Sequence, residues 1–401
     1  MSFFTKTPKV STDEAKIQEL LTRGVEDVFV KESLLLKLRS GKQLRVKLGI
    51  DPTGTTIHIG RATILWKLRA FQELGHKIVL IVGDFTAQIG DASDKLEKRP
   101  MLSTEAVKEN LKNYKEIIGK VIDVEQAEVV YNSSWLSKLG FAEIAELADI
   151  FTIQQMTERR NFKDRMDKEE PISFREFLYP LMQGYDSVAV KADIEIGGFD
   201  QLFNLKAGRV IQKHYRQPEQ DIFTGQMLEG TDGRKMSTSW GNVINITDEP
   251  SDMFGKVMSV RDELIGKYFL LATKVPVPEI QEIEEGMKGG GNPRDSKIRL
   301  AKEIVALYHG KEVAEKAAEK FDSTFSKGKP QEFIQVVLAG REVAEVLLEK
   351  KVIESKSDLR RLICERAVTN LDTDEKAGEG FLKSAPSGKY RIGKHRFIEI
   401  R

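Results

Sequence analysis

Residues 43–82 read QLRVKLGIDPTGTTIHIGRATILWKLRAFQELGHKIVLIV, and this stretch decides the fold. Its first part alternates like a β-strand and stops at Asp51. From about Gly60, apolar residues recur at helical spacing until Gly75, which is a natural helix end. A continuous apolar run over 77–82 is typical of a buried parallel strand. Strand, helix and strand in this order predict a βαβ unit of an open α/β sheet.

The rest of the chain extends this sheet and then leaves it. Helices are predicted over 11–38, 103–122, 136–182 (several) and 200–214, and strands near 127–131, 192–196 and 221–224. Beyond residue 246 the pattern is helical over 251–325, a linker is predicted at 326–330, and a basic helix and a hairpin follow. We predict an α/β sheet domain over 1–245 with a helical insertion at about 101–185, an α-helical domain over 246–328 and a small α+β domain over 335–401.

Composition limits the classes of protein to which the chain can belong. Its 401 residues allow two or three domains, and 40% hydrophobic with 31% charged residues is ordinary for a globular protein. The net charge of +1 means that any nucleic-acid surface must be a local patch. The single cysteine, Cys364, excludes a disulfide framework. No signal-peptide pattern and no apolar run of membrane-spanning length is visible, so we expect a cytoplasmic protein.

The segment DPTGTTIHIG, residues 51–60, carries the first sign of phosphate chemistry. The start of a helix presents free N–H groups and a partial positive charge, which suit a phosphate. Gly60 allows close approach to the backbone, and the His58 imidazole can donate a hydrogen bond to a phosphate oxygen. Taken alone, the pattern equally fits a histidine that caps or packs against a helix.

A second polar segment, GRKMSTS at 233–239, follows the strand predicted near 221–224. Lys235 offers a point charge on a flexible stem, which suits pyrophosphate, although an isolated segment of this kind is by default a solvated loop. Ligands of open α/β sheets bind beyond the carboxyl ends of the strands. We therefore predict that His58 and Lys235 face one crevice.

Together these segments resemble the class I aminoacyl-tRNA synthetases. Residues 58–60 match the first three letters of their HIGH motif, and 235–239 match KMSKS. The segments IGD at 89–91, YPLMQGYD at 179–186 and GGFDQ at 197–201, with an S4-like C-terminal segment, resemble bacterial tyrosyl-tRNA synthetases over nearly the whole chain. The resemblance implies a Rossmann-like catalytic domain that activates L-tyrosine with ATP and transfers it to tRNA(Tyr).

The resemblance implies a tyrosine-binding set made of Asp91, Tyr179, Gln183, Asp186 and Gln201. Asp186 would accept a hydrogen bond from the substrate phenol, and Asp91, Tyr179 and Gln183 would hold its ammonium group. A buried acceptor left unpaired by phenylalanine gives strong rejection, an effect for which tyrosyl-tRNA synthetases are themselves the known example. By spacing alone, Tyr179, Gln183 and Asp186 share one helix face, which also fits an ordinary amphipathic helix.

For ATP, the resemblance implies four catalytic residues, namely His58, Lys95, Arg99 and Lys235. Further ATP contacts would come from Asp51, Gly60, Arg61, Gly198, Asp200, Met236, Thr238 and Ser239, with Gly198 and Asp200 at the ribose. The tyrosine carboxylate would attack the α-phosphorus, so catalysis rests on positioning and electrostatics and needs no covalent nucleophile. Mg²⁺ would accompany ATP, and no metal site of the protein's own is expected.

Several residues depart from the family pattern. Arg61 stands at the second histidine of HIGH, and Thr238 stands at the second lysine of KMSKS, which removes one cation. Phe199 replaces a small hydroxyl residue, and Lys47 with Leu48 stands where many relatives have Tyr-Cys. We still expect a functional enzyme, with weakened ATP binding.

The C-terminal segment is the expected tRNA-binding part. From 351 to 401 it has twelve Lys and Arg against eight Asp and Glu, a local charge of +4. Such an excess favours contacts with a phosphate backbone, and the residues expected to make them are Arg360, Arg361, Lys389, Arg391, Lys394 and Arg396. The resemblance also implies a homodimer formed through the helical insertion, without a membrane partner.

Three alternatives remain open at this point. A tryptophanyl-tRNA synthetase shares the catalytic fold, although Asp186 and the S4-like segment argue against it. A small-molecule nucleotidylyltransferase shares HxGH-like motifs but leaves the basic tail unexplained. A catalytically impaired, RNA-binding paralogue would accommodate Arg61 and Thr238.

Overall fold

The computed structural model describes residues 10–91, 102–325, 333–350, 352–353, 355–393 and 396–401. The chain forms two compact units, residues 1–314 and 315–401. The strands of the first unit are β1 (Val25–Phe29), β2 (Arg45–Ile50), β3 (Lys77–Val82), β4 (Glu128–Tyr131), β5 (Ile194–Gly198) and β6 (Asp221–Gly225). Its helices up to β6 are α1 (Glu14–Thr22), α2 (Lys31–Arg39), α3 (Ile59–Glu73), α4 (Thr86–Ile89), α5 (Thr104–Leu111), α6 (Tyr114–Gly119), α7 (Ser133–Leu136), α8 (Phe141–Asp149), α9 (Ile153–Thr157), α10 (Arg160–Asp167), α11 (Phe174–Val190) and α12 (Leu202–His214).

Helices continue after the last strand of this unit. They are α13 (Pro250–Met258), α14 (Ile265–Ala272), α15 (Val277–Lys288), α16 (Pro293–His309) and α17 (Lys311–Phe325), the last of which crosses the division between the units. Short 3₁₀ turns lie at Phe199–Gln201, Thr238–Trp240 and Asp262–Leu264. The helical pattern predicted over 251–325 is thus confirmed, whereas the domain boundaries at 245 and 328 stay predictions.

The six strands form one sheet in the order β1-β6-β5-β2-β3-β4. Strands β2 to β6 run parallel, and β1 pairs antiparallel with β6 at the edge. The strand residues of β3 and β6 are almost all buried, as continuous apolar strands covered on both faces should be. The predicted βαβ unit is present, with β2 and β3 adjacent and in register from Arg45 opposite Lys77.

Two helices predicted from periodicity are each divided. Instead of one helix over 11–38, the chain forms α1, then β1, then α2, because Gly24 turns the backbone at a φ of +60° and β1 finds a partner in β6. The helix predicted over 103–122 is divided into α5 and α6 near Asn113. Local spacing could not show the long-range pairing that makes residues 25–29 a strand.

Helices α11 and α12 cross closely at two glycines. A methyl group on Gly184 would lie 2.5 Å from Ile211 Cδ1 and 3.2 Å from the backbone of Ala207. One on Gly208 would lie 2.5 Å from Gln220 Nε2 and 2.8 Å from Ser187 Oγ. The two helices therefore approach each other closely where these glycines lie.

The second unit has its own small sheet. Its elements are β7 (Ile334–Val336), α18 (Val343–Glu349), α19 (Lys356–Cys364), β8 (Val368–Asn370), a 3₁₀ turn at Glu379–Leu382, β9 (Gly388–Ile392) and β10 (Arg396–Ile400). The strand order is β7-β10-β9-β8, with only the β7–β10 pair parallel among these. Residues of both helices and of the sheet share one apolar core, including Leu347, Leu359 and Ile398.

The predicted basic helix and terminal hairpin are therefore confirmed as elements, and the predicted linker at 326–330 lies outside the described residues. Among the residues that the structure describes, none of the helices combines the length and the apolar character needed to cross a membrane.

Candidate active site

The two phosphate motifs meet through a short stretch of β-pairing. Ile59 N donates to Ile244 O at 2.8 Å, Ile246 N donates to Ile57 O at 2.9 Å, and His58 forms the bridge with Asn245 between them. The segment 233–239, which we call the lysine loop, ends just before this pairing. The loop and the start of α3 therefore lie side by side. A methyl group on Gly60 would lie only 3.2 Å from Met236 Sδ.

His58 is the N-cap residue of α3. Its Nδ1 accepts a hydrogen bond from Arg61 N at 3.2 Å, which satisfies one of the free N–H groups of the first turn. Burial, with the positive charges of Arg61 and Lys235 nearby, lowers its pKa to about 4. The ring is therefore neutral at pH 7, and because Nδ1 is the acceptor, the ring proton is on Nε2.

The Asn242 side chain organises the lysine loop. Its Nδ2 donates to Asp232 Oδ1 at 2.8 Å and to Lys235 O at 3.1 Å, and its Oδ1 accepts from Ser237 N at 2.8 Å. Asn242 is buried, whereas the Lys235 side chain stays partly exposed, with Nζ 3.4 Å from Asp200 Oδ2. The structure thus brings together Lys235 and Asp200, two residues predicted to contact ATP.

Two carboxylates connect the predicted tyrosine-binding residues to the sheet domain. Asp51 directly follows β2, and Asp91 comes after the helix α4 that follows β3. Asp51 accepts from Thr86 Oγ1 at 2.7 Å and from Tyr179 OH at 2.9 Å, so this residue, predicted to contact ATP, also contacts the tyrosine-binding set. Asp91 is buried and accepts from Gln201 Nε2 at 2.8 Å. Its other oxygen pairs with the buried Arg159 at 2.5 Å.

Asp186 is the most deeply buried carboxyl of the predicted set. Trp135 Nε1 donates to its Oδ1 at 2.7 Å, and Asn132 Nδ2 donates to its Oδ2 at 3.3 Å. Burial raises the pKa of Asp186 to about 7, against the opposing effect of the Lys47 charge. Tyr179, Gln183 and Asp186 all lie on α11, as their spacing predicted.

Several residues that contact this set were not selected by sequence reasoning. Asn132 and Trp135 hold Asp186, Arg159 holds Asp91, and Glu195 accepts from Gln183 Nε2 at 3.1 Å. Glu195 had one weak signal, a charged residue inside an otherwise apolar strand. The others sit in helices of the insertion or just after β4, where the sequence gives no phosphate or carboxylate motif.

The structure also describes the surroundings of other residues that were predicted to contact ATP. Arg61 is exposed on the first turn of α3, and its charge lies near the buried Tyr114 hydroxyl. Gly198 ends β5, where a methyl group would lie 2.6 Å from Asp200 Oδ1. Thr238 is exposed in a 3₁₀ turn. The predicted residues Lys95 and Arg99 lie outside the described residues, as does the Ser239 side chain.

The predicted RNA-binding residues of the second unit differ in their surroundings. Arg360 is exposed on α19, and Arg361, also exposed, pairs with Asp358 at 2.7 Å and with Glu365 at 3.1 Å. Arg396 donates to Val352 O at 2.6 Å. On the sheet, Lys389 lies 5.0 Å from the centre of the Phe333 ring, and Arg391 is partly exposed. Lys394 lies outside the described residues.

This arrangement separates two chemical environments at one edge of the sheet. A neutral imidazole N–H, a helix N-terminus and a lysine provide donors suited to phosphate oxygens. A buried carboxyl and a set of tyrosine, glutamine and aspartate side chains provide acceptors suited to a hydroxyl and an ammonium group. No group of three or more His, Cys, Asp and Glu side chains that would bind a metal ion occurs in the described part of the chain.

Comparisons with known proteins show the family to which the chain belongs. A family model described as tRNA synthetases class I (W and Y) matches residues 39–326. The tyrosine–tRNA ligase of Carboxydothermus hydrogenoformans is 45% identical over 406 residues, covering 97% of this chain and 98% of that protein. That of Thermotoga maritima is 44% identical over 97% of this chain and 98% of its own length.

A solved structure supports the fold. The C-terminally truncated mitochondrial tyrosyl-tRNA synthetase of Aspergillus nidulans superposes with a TM-score of 0.63 at 23% identity, covering 77% of this chain and 94% of that chain. Because the family match spans most of the chain and the bacterial relatives match nearly all of it, this chain belongs to the class I tRNA synthetases (W and Y), within the bacterial tyrosine–tRNA ligase family.

Proposed function

We propose that this protein is a tyrosine–tRNA ligase. Its first reaction joins the carboxylate oxygen of L-tyrosine to the α-phosphorus of ATP, breaking the bond to the bridging oxygen and releasing pyrophosphate. In the second, a hydroxyl of the terminal ribose of tRNA(Tyr) attacks the acyl carbon and AMP leaves. The observation that carries the proposal is the backbone pairing that seats the His58 helix start against the Lys235 loop.

The tyrosine end of the site is assigned to the acceptors on α11 and beside it. Asp186 receives the phenol hydroxyl, because its two oxygens are already fixed by Trp135 and Asn132. Asp91, Tyr179, Gln183 and Gln201 surround the ammonium group. A phenylalanine would leave the buried acceptor without its hydroxyl partner, which is costly.

The ATP end is assigned to donors. His58 Nε2–H stabilises charge on the transferring phosphate without carrying a charge of its own, and Lys235 neutralises the pyrophosphate. Asp200 and Gly198 are assigned to the ribose, with Asp51, Gly60, Arg61, Met236, Thr238 and Ser239 around the nucleotide, and Lys95 and Arg99 at the leaving group. Mg²⁺ would enter as the ATP complex, bound mainly by phosphate oxygens.

The remaining parts of the proposal concern partners. tRNA contacts are assigned to Arg360, Arg361, Lys389, Arg391, Lys394 and Arg396 of the S4-like unit, whose local positive charge suits a phosphate backbone. A homodimer through the helical insertion is proposed from the family alone. The proposed reaction uses tRNA and ATP, so we propose that the protein is located in the cytoplasm.

The decisive experiment is amino-acid-dependent ATP–pyrophosphate exchange with tyrosine, phenylalanine and tryptophan. We expect exchange with tyrosine at least about 10³-fold more efficient than with either of the others, because each lacks the hydroxyl that pairs the buried acceptor. Exchange that prefers tryptophan would indicate a tryptophanyl-tRNA synthetase. RNA binding without any exchange would indicate an impaired paralogue and overturn the proposal.

A further inference from the structure

A buried ion pair lies directly behind Gln183. Lys47 on β2 and Glu195 on β5 occupy adjacent positions in the sheet register, both side chains are fully buried, and Lys47 Nζ lies 2.9 Å from Glu195 Oε1. A buried pair of this kind costs desolvation energy and is retained only with good geometry. Its position next to a residue of the proposed substrate site suggests a role beyond stability.

Every polar atom of this pair has a partner. Lys47 Nζ also donates to Gln183 O at 2.9 Å and to Ser187 Oγ at 2.8 Å, which uses all three of its protons. Glu195 Oε1 additionally accepts from Gln183 Nε2 at 3.1 Å, and Oε2 accepts from Ser187 Oγ and from Gln220 Nε2. The pair therefore contacts Gln183 twice, once on its backbone and once on its side chain.

These contacts decide which way the Gln183 amide faces. An ionised carboxylate only accepts hydrogen bonds, so the amide must turn its NH₂ toward Glu195. The end left for a ligand is then Oε1, which only accepts. An ammonium group only donates, so an amide held in this orientation suits an amine and disfavours the opposite flip.

We propose that Lys47 and Glu195 are positioning residues that fix Gln183 with its oxygen toward the substrate and so make the site selective for ligands with an ammonium group. Lys47 contributes by pairing with the Glu195 carboxylate at 2.9 Å, whereas an amide side chain at 195 could donate to Gln183 and permit the flipped amide. The inference rests on the proposed function, since it assumes that Gln183 faces the tyrosine ammonium.

The test is the double variant Lys47→Met with Glu195→Gln, which removes both charges and keeps similar volumes. Equilibrium binding is measured for L-tyrosine, for tyramine, and for 3-(4-hydroxyphenyl)propionate, which lacks the amine. We expect about tenfold weaker binding of the two amines and less than about twofold change for the amine-free acid. The KM for tyrosine should rise by a similar factor in pyrophosphate exchange, with the KM for ATP unchanged.

A matched control is the double variant Arg45→Met with Glu128→Gln. It neutralises a partly exposed ion pair, 2.9 Å apart, between Arg45 of the same strand β2 and Glu128 of β4. It should bind all three ligands as the wild type does. If the Lys47/Glu195 variant does not unfold cooperatively, Gln183→Met provides the second test, because it leaves the buried pair intact and should show the same amine-selective loss.

Equal loss for amine-bearing and amine-free ligands, or no loss in either variant, would overturn the inference. A wild-type protein without tyrosine-dependent exchange would instead count against the proposed function. The two failures are therefore distinguishable.

Discussion

At the scale of single residues, His58 combines two roles in one ring. Nδ1 caps α3, while Nε2 retains the proton that we propose to be donated to a phosphate oxygen. Since its pKa is lowered to about 4, the imidazole does not change charge between pH 5 and pH 8. A cationic ring would bind the ground-state phosphate more strongly, whereas a neutral donor responds mainly to the charge that develops during transfer.

His58→Asn separates these roles. Asparagine is a good N-cap, so the variant should keep the stability of the wild type, while His58→Ala should lose about 1 kcal/mol of unfolding free energy. Both should lower kcat for tyrosine-dependent pyrophosphate exchange by about 10²-fold with little change in the KM for ATP, because the lost contact acts in the transition state. Thermal unfolding and exchange kinetics measure the two effects, and an unchanged kcat in the asparagine variant would refute the catalytic role of Nε2.

Sequence reasoning selected the residues that would face a ligand but missed those that hold them. His58, Lys235 and Asp186 lie in recognisable motifs, so the sequence predicts them as site residues. The contacts of Asp186 with Trp135 and Asn132 come from a helix of the insertion and the end of β4. Such neighbours are fixed by tertiary packing, and no local pattern reports them.

At the scale of elements, the lysine loop depends on one buried side chain. Asn242 bonds three points of the loop, from Asp232 to Ser237, and these bonds help to lower the pKa of Asp232. The central strands and the helix α3 could be predicted because their hydrophobic pattern is strong and regular. The edge strand β1 could not be predicted from the sequence, because its five residues acquire strand structure only by pairing with β6.

Replacing Asn242 with alanine should loosen the loop without touching tyrosine recognition. We expect the KM for ATP to rise about tenfold, because several hydrogen bonds that order the loop are lost, while the dissociation constant for tyrosine stays within about twofold. Exchange kinetics and equilibrium tyrosine binding test this. Equal effects on both substrates would argue against a loop-specific role.

At the scale of the whole molecule, two units divide the proposed work. The first contains every described residue assigned to tyrosine and ATP, and the second contains the residues assigned to tRNA. The order of sheet, helices and small basic unit was predictable, because composition and periodicity change along the chain. The sequence could not predict which arginines of the basic unit stay available for a ligand. Arg361, for example, pairs with Asp358 within α19 and with Glu365 next to it.

Deleting residues 326–401 should therefore separate the two reactions. We expect the remaining chain to catalyse tyrosine-dependent pyrophosphate exchange within about threefold of the full-length rate, and tRNA charging to fall by at least about 10²-fold, because the backbone contacts that supply most nucleic-acid affinity are removed. Full-length protein carrying Arg360→Gln should show an intermediate loss of charging. Charging at the full-length rate by the shortened protein would contradict this division.

The pairing of residues 57–59 with 244–246 has a further consequence. Side chains on a paired strand alternate between two faces, so a slip by one position would turn each of them to the other side. The stretch between Lys235 and Asn245 therefore has a set length, and removing a single residue from it would shift the ammonium group by about 3.3 Å along the chain. The number of residues between the lysine and the paired segment thus matters together with the Asn242 side chain that shapes the loop between them.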